Sequence, residues 1–290
     1  MDASLKALVD QLDLEALEVN LFRGQSTYIG SPNVFGGQVI GQAMVAATRT
    51  VELRPPHSCH AYFLLPGDIK APIVYEVERI RDGKSFSTRR VQAIQHGRPI
   101  LSMIASFQVE EEGYEHQVKM PDVPMPEDLK PFDELVTDWI AEVPGLDPKL
   151  MTGLKRPRAI DFRVVNPVNP LKPTRSEPVS QIWFRVVDRL PDDPLLHRCM
   201  LAFASDFNLI GTALRPHGVS WYRQDLVLAS LDHAIWFHRP GRVDEWMLYA
   251  MDSPTAQGAR GFARGQIFDR QGVLVASTAQ EGLTRPKTTR

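Results

Sequence analysis

The chain has 290 residues, 43% of them hydrophobic and 23% charged, with a net charge of −2 and a pI near 6.5. That composition supports a sizeable core, and at this length two domains or one duplicated unit is the expectation. The near-neutral balance lacks the basic surplus of a nucleic-acid-binding protein, and no apolar run approaches membrane-spanning length.

In chain order, Leu5, Leu8, Val9 and Leu12 follow helical spacing and predict a short amphipathic helix over 4–18. Leu21 to Tyr28 reads as a first strand. Gly36-Gly37 opens a proline-free, alanine-rich stretch from Gln38 to Val51 that is apolar on nearly every side, as a buried helix is. Strand-like runs follow at Ser58–Leu65, Ile73–Arg81, Phe86–Gln95 and Ile100–Glu110, separated by turn signals at Pro66-Gly67, Asp82-Gly83 and His96-Gly97. Prolines then crowd residues 121–157, where Phe132–Val143 reads as one short helix in a surface linker. Strands resume at Ile160–Val165 and Gln181–Asp188. A helix starts near Asp193-Pro194 and runs to about Ala204, and Asp206 is expected to open a second buried helix. Asp225–His238, Glu245–Asp252, Gly261–Asp269 and Val273–Glu281 complete a second meander.

The second half repeats the first. Phe63, Pro66, Gly67, Tyr75, Arg90 and Gln92 recur 174 residues later as Phe237, Pro240, Gly241, Tyr249, Arg264 and Gln266. Val39 to Ala43 resembles Leu209 to Ala213 at an offset of 170, and Gly97 and Ser102 match Gly272 and Ser277 at 175. The pattern is a helix and an antiparallel meander, twice over. The expected units are 1–115, a proline-rich connection over 116–157, and 158–290.

Chemistry enters where the copies differ. Gly36 aligns with Asp206, and Ala105 with Gln280; Ser230 falls opposite His57 or Ser58, depending on one gap. Taken singly, Asp206 reads as a helix cap, Ser230 as a strand serine and Gln280 as an edge residue. Together, and in one copy only, they form a coherent set. A carboxylate can take a proton from water, while a hydroxyl and an amide can orient that water. A helix N-terminus at Gly36-Gly37 offers free amides to an oxyanion, and the glycines keep that backbone open to close approach. Water attack on an activated acyl group follows, with no covalent intermediate. His57 keeps a place near the pocket mouth. Asp232-His233 looks like a dyad, but strand neighbours point apart, so the pair reads as structural.

Five motifs carry a family resemblance: Leu21-Phe22-Arg23-Gly24-Gln25; Val34 to Ala43; Asp232 to Pro240; Ala259 to Gly265; and Val273 to Gly282. They span nearly the whole chain, and with them the sequence resembles the type II acyl-CoA thioesterases. The resemblance implies an α+β double hot-dog fold, two helix-wrapped antiparallel sheets joined into one. It also implies acyl-CoA as substrate, a water-orienting triad at Asp206, Ser230 and Gln280, and a homo-oligomer. No cofactor and no metal is expected. A cytoplasmic location is expected; the final four residues, Lys287 to Arg290, are not a peroxisomal address, and the N-terminal residues do not read as a secretory signal.

Other chemistry fits less well. No Gly-x-Ser-x-Gly elbow points to an α/β-hydrolase, and no His-Glu-x-x-His or cysteine cluster points to zinc. Cys59 and Cys199 read as buried reduced thiols. A hot-dog hydratase or dehydratase resembles a pattern of Asp followed five residues later by His, where this chain has Gly211. A non-catalytic acyl-CoA-binding protein has no use for the polar set in copy two.

Overall fold

The structure, a computed structural model, describes residues 1–28, 32–223 and 225–287. The last three residues, on which the reading of the C-terminal address partly rests, lie outside these. Copy one comprises α1 (Ala3–Leu12), β1 (Glu15–Glu18), β2 (Leu21–Gly24), α2 (Gly36–Thr48), β3 (Pro56–Phe63), β4 (Ile73–Asp82), β5 (Phe86–Gln95) and β6 (Arg98–Gln108). Next in the chain come α3 (Phe132–Ala141) and α4 (Pro148–Leu154). Copy two comprises β7 (Ile160–Val164), β8 (Val179–Val186), α5 (Pro194–Ala204), α6 (Leu209–Leu214), β9 (Leu226–Ser230), β10 (Asp232–Phe237), β11 (Met247–Gln257), β12 (Arg260–Asp269) and β13 (Leu274–Pro286).

The thirteen strands among the described residues join one antiparallel sheet, in the order β1-β2-β4-β5-β6-β3-β10-β13-β12-β11-β8-β7, with β9 continuing alongside β13. This is the double hot-dog arrangement, and the order is a palindrome about the β3–β10 seam. At the seam His60 pairs with Ala234, which lies 174 residues after it, so a pseudo-twofold axis passes there. Registers confirm the internal alignment. Tyr75 pairs with Ala93 on β5, and Tyr249 pairs with Ile267 on β12. An ion pair is duplicated too: Arg90 with Glu78, and Arg264 with Asp252.

The buried helix α2 lies against β4, β5 and β6 and packs its other side on α5. Gly37 and Gly41 permit that contact, since a Cβ at Gly37 would sit 2.4 Å from the Phe203 carbonyl oxygen and one at Gly41 3.1 Å from Phe203 Cβ. Buried Gln42 donates to the Gln11 and Gln25 carbonyls and accepts from the Tyr75 hydroxyl, satisfying a polar group in the core.

Three local expectations change. The first helix stops at Leu12, because its stripe of Leu5, Leu8 and Leu12 is not continued; buried Leu14 belongs to an extended run where Glu15 pairs with Arg23 of β2. The strand from Leu21 ends at Gly24, not Tyr28. The strand expected over Asp225–His238 is split into β9 and β10 at Leu231. The connection packs Met120, Val123, Met125 and Leu129 against a small apolar cluster of Trp183, Trp246, Leu248, Phe268 and Leu274. Trp183 Nε1 also donates to the Pro124 carbonyl.

Gly282 on β13 lets α6 sit close: a Cβ there would fall 1.2 Å from Ile210 Cδ1. Gly282→Val should therefore cost about 1–3 kcal/mol through overpacking. A thermal melt checks this, and an unchanged melting temperature would contradict it. Burial also holds His57, His197, His233 and His238 below the ordinary histidine value, with desolvation the main cause in each. A histidine whose folded pKa is depressed leaves stability unaffected above the unfolded value and destabilises the fold as pH drops below it. Urea midpoints should fall between about pH 7.5 and about pH 5.5; equal midpoints would count against the burial argument.

Candidate active site

Asp206 does not open the second buried helix. It sits in the turn between α5 and α6, after Ser205 and before Asn208, whose φ of 63° is left-handed. Asparagine tolerates that conformation better than most residues, and it breaks what would be one long helix into two. Asp206 is also not a cap. Its Oδ1 accepts a 2.6 Å hydrogen bond from Gln280 Nε2, and its side chain is only 4% exposed.

Alternate residues of β13 hold this turn from below. Thr278, Gln280 and Gly282 share one face of the strand. Thr278 Oγ1 lies 2.8 Å from the Tyr249 hydroxyl, which donates to the Ser205 carbonyl at 2.8 Å. Gln280 bonds Asp206, and Gly282 leaves room for Ile210 of α6. In copy one the same row is Met103, Ala105 and Phe107, all fully buried and apolar. The polar row is thus specific to copy two.

Ser230 pairs with Gly282, which places its side chain on the Gln280 face, one strand away and diagonal to it. Its hydroxyl bonds no group among the described residues. The registers also settle its counterpart. A bulge between Pro56 and Ser58 in copy one matches the break at Leu231 in copy two, so Ser230 corresponds to Pro56, opposite Phe107, and not to His57 or Ser58. Copy one therefore offers glycine, proline and alanine at the three positions.

The N-terminus of α2 comes from copy one to meet this cluster. A Cβ on Gly36 would lie 2.7 Å from Asp206 Oδ2, so only glycine leaves the carboxylate its place. Phe35 at the N-cap makes no side-chain cap bond, and the amides of Gly36 and Gly37 have no acceptor among the described residues. Two N–H groups without acceptors among the described residues, and the positive end of the helix dipole, thus lie at the end of α2 that meets Asp206. His57 is not brought here. It stands at the β3 bulge, where its Nε2 lies 2.8 Å from Ser106 Oγ and its ring packs on Phe86. It lies four positions from Ala61, the partner of His233, which is roughly 13 Å along a strand.

His233 is the residue the sequence reading passed over. Asp232 and His233 do point apart, as expected: Asp232 Oδ1 accepts from the Glu281 amide, while His233 turns inward. Its fully buried ring places Nδ1 3.9 Å from Asp206 Oδ1 and Nε2 2.9 Å from Ser205 Oγ. Its copy-one counterpart is Cys59, so the comparison that selected Asp206 and Gln280 would have selected it too. Among the described residues no cluster of three or more potential metal ligands occurs. What remains is a buried carboxylate with one donor, beside a helix N-terminus with free amides.

Comparison with known proteins identifies the family of the chain. The sequence model of the family described as "Acyl-CoA thioesterase" matches residues 155–283, and that described as "Acyl-CoA thioesterase N-terminal domain" matches 25–108. The chain is 42% identical to "Acyl-CoA thioesterase 2" of Haemophilus influenzae, covering 98% of this chain and 99% of that protein. It is 41% identical to human "Acyl-coenzyme A thioesterase 8", covering 95% and 88%. The crystal structure of an acyl-CoA thioesterase II from Mycobacterium marinum superposes with a TM-score of 0.78 at 44% identity, over 96% of this chain and 98% of that one. The chain belongs to the acyl-CoA thioesterase family and is a hydrolase of acyl-CoA thioesters.

Proposed function

We propose that hydrolysis proceeds by direct attack of one water, with Asp206 as its base. Asp206 takes a proton from the water as its oxygen bonds the thioester carbonyl carbon. The carbonyl oxygen becomes an oxyanion against the amides of Gly36 and Gly37. Collapse of that intermediate breaks the C–S bond, and the departing sulfur takes the proton from Asp206, leaving free fatty acid and CoA. Gln280 fixes the carboxylate, and Ser230 and Gln280 help to orient the water. The observation that carries this reading is the 2.6 Å Gln280–Asp206 bond made beside the uncapped start of α2.

Neither a hydratase nor a silent binder is favoured. A hydratase of the resembling pattern would need a second acid–base group on α6, where Gly211 stands. A binder needs no buried carboxylate aimed at a helix N-terminus. Asp206→Asn and Gln280→Ala should each lower kcat by on the order of 10²-fold or more, with free-thiol release from acyl-CoA as the assay. Ser230→Ala should cost less, since its hydroxyl makes no bond to the carboxylate. Normal turnover by both folded Asp206→Asn and Gln280→Ala proteins would overturn the assignment.

We further take the working form to be a homo-oligomer in the reducing cytoplasm, and residues 116–157 to be a connection between two units. The unpaired buried thiols Cys59 and Cys199 support a reducing compartment. Tyr62 on β3, Leu64 just past its end and Ile104 on β6, 64%, 48% and 48% exposed, support self-association. Tyr62→Glu with Ile104→Glu should shift the mass seen by light scattering down to that of one chain; an unchanged oligomer would exclude this face.

A further inference from the structure

The hydrogen-bond pattern around His233 points to Nε2 as the ring nitrogen that carries the proton. Ser205 Oγ donates its only proton to the Ala202 carbonyl at 2.9 Å. Toward His233 Nε2, 2.9 Å away, the hydroxyl can then only accept, so Nε2 carries the hydrogen and Nδ1 the lone pair. Burial depresses the His233 pKa, with Asp206 opposing, and so keeps the ring neutral. Nδ1 is thus a buried acceptor with no partner among the described residues. It faces a second acceptor, Asp206 Oδ1, 3.9 Å away.

Two acceptors at that spacing repel at contact but suit a donor placed between them. A single water about 2.8 Å from each would see them at roughly 90°, close to the angle between its own O–H bonds. Buried acceptors left without protein donors are where ordered water is held. Resting on the assignment of Asp206 as base, we propose that His233 is a further catalytic residue whose Nδ1 accepts the second hydrogen of the attacking water. One O–H then points at Asp206 Oδ1 and the other at His233 Nδ1. The oxygen's lone pairs are turned away from both acceptors and are free for the carbonyl carbon. His233 does not take the proton. It sets the direction of attack, and Ser205 acts one step behind by holding the ring in the Nε2–H tautomer.

The merely structural alternative is that His233 only anchors Ser205 through Nε2. Two substitutions separate these. Glutamine sets an amide N–H near the Nε2 position and carbon near Nδ1; asparagine keeps a polar atom near Nδ1 and loses the Ser205 bond. His233→Gln should fold normally, leave KM within about twofold and lower kcat by on the order of 10²-fold. His233→Asn should melt lower yet keep more kcat than His233→Gln. The opposite ranking, glutamine active and asparagine inactive, would reduce His233 to an anchor and overturn the proposal. Asp206→Asn is assayed alongside. If it is inactive while His233→Gln turns over normally, Asp206 stands as base and the His233 proposal fails; Gln280 Oε1, a buried acceptor without a partner among the described residues, is then the next candidate to hold that hydrogen. If Asp206→Asn itself turns over normally, the underlying reading fails instead.

Discussion

A carboxylate removed from water must be compensated, and at Asp206 the compensation is deliberately incomplete. Ionised carboxylate oxygens offer about four acceptor sites. Among the described residues one of them is filled by a direct bond, from Gln280 Nε2. Burying charge with so few donors is costly unless something else is bound. The positive end of α2 offsets part of that cost without occupying the oxygens. On the proposed mechanism the remaining sites take the attacking water. Much of copy two serves this one under-satisfied group. The α5–α6 break positions it, Thr278 and Tyr249 pin the turn below it, and Gly282 lets α6 settle close enough for the turn to reach Gln280.

The same constraint explains why copy one looks as it does. Its inward row of Met103, Ala105 and Phe107 fills with hydrocarbon the volume that copy two gives to polar groups. Its helix α2 is uninterrupted for 13 residues, where copy two has a six-residue α6 after the break. An unbroken helix packs better and presents a better N-terminus. A broken one carries a side chain into the core at the break. The duplication lets each copy keep one of these properties, and the site uses both.

How far the sequence revealed this depends on the kind of signal. Asp206 and Gln280 were legible because charge and amide replace glycine and alanine at aligned positions, and such contrasts survive without coordinates. The break that carries Asp206 was not legible, because it rests on the backbone of Asn208, while Ser205-Asp206 before an apolar run imitates an ordinary cap. The partner of Ser230 was misplaced by assuming a gap. Both copies carry the same bulge, at His57 and at Leu231, so a constant offset would have led straight to Pro56. His233 was set aside on a correct premise, that neighbours on a strand diverge. The premise excludes a dyad with Asp232 and says nothing about what lies above the inward face, which is Asp206.

The pseudo-twofold axis adds a reason for asymmetry. Gly36 and Asp206 are aligned positions, and they meet, with 2.7 Å between a Cβ on the first and Oδ2 of the second. In a symmetric pair of identical units, an aspartate at this position would confront its own copy across the axis. Two carboxylates at such range cannot both stay ionised in a buried site, and one would be held protonated. Neither helix N-terminus would then be open, because each would be blocked by the other unit's side chain. A fused duplicate escapes this, since the two positions can differ. Glycine at 36 removes the competing charge and clears the Gly36 and Gly37 amides. Asp206 remains as the carboxylate beside them. On the proposed reading this chain holds one site across its axis rather than two, because what completes the site at Asp206 is the absence of a side chain at Gly36.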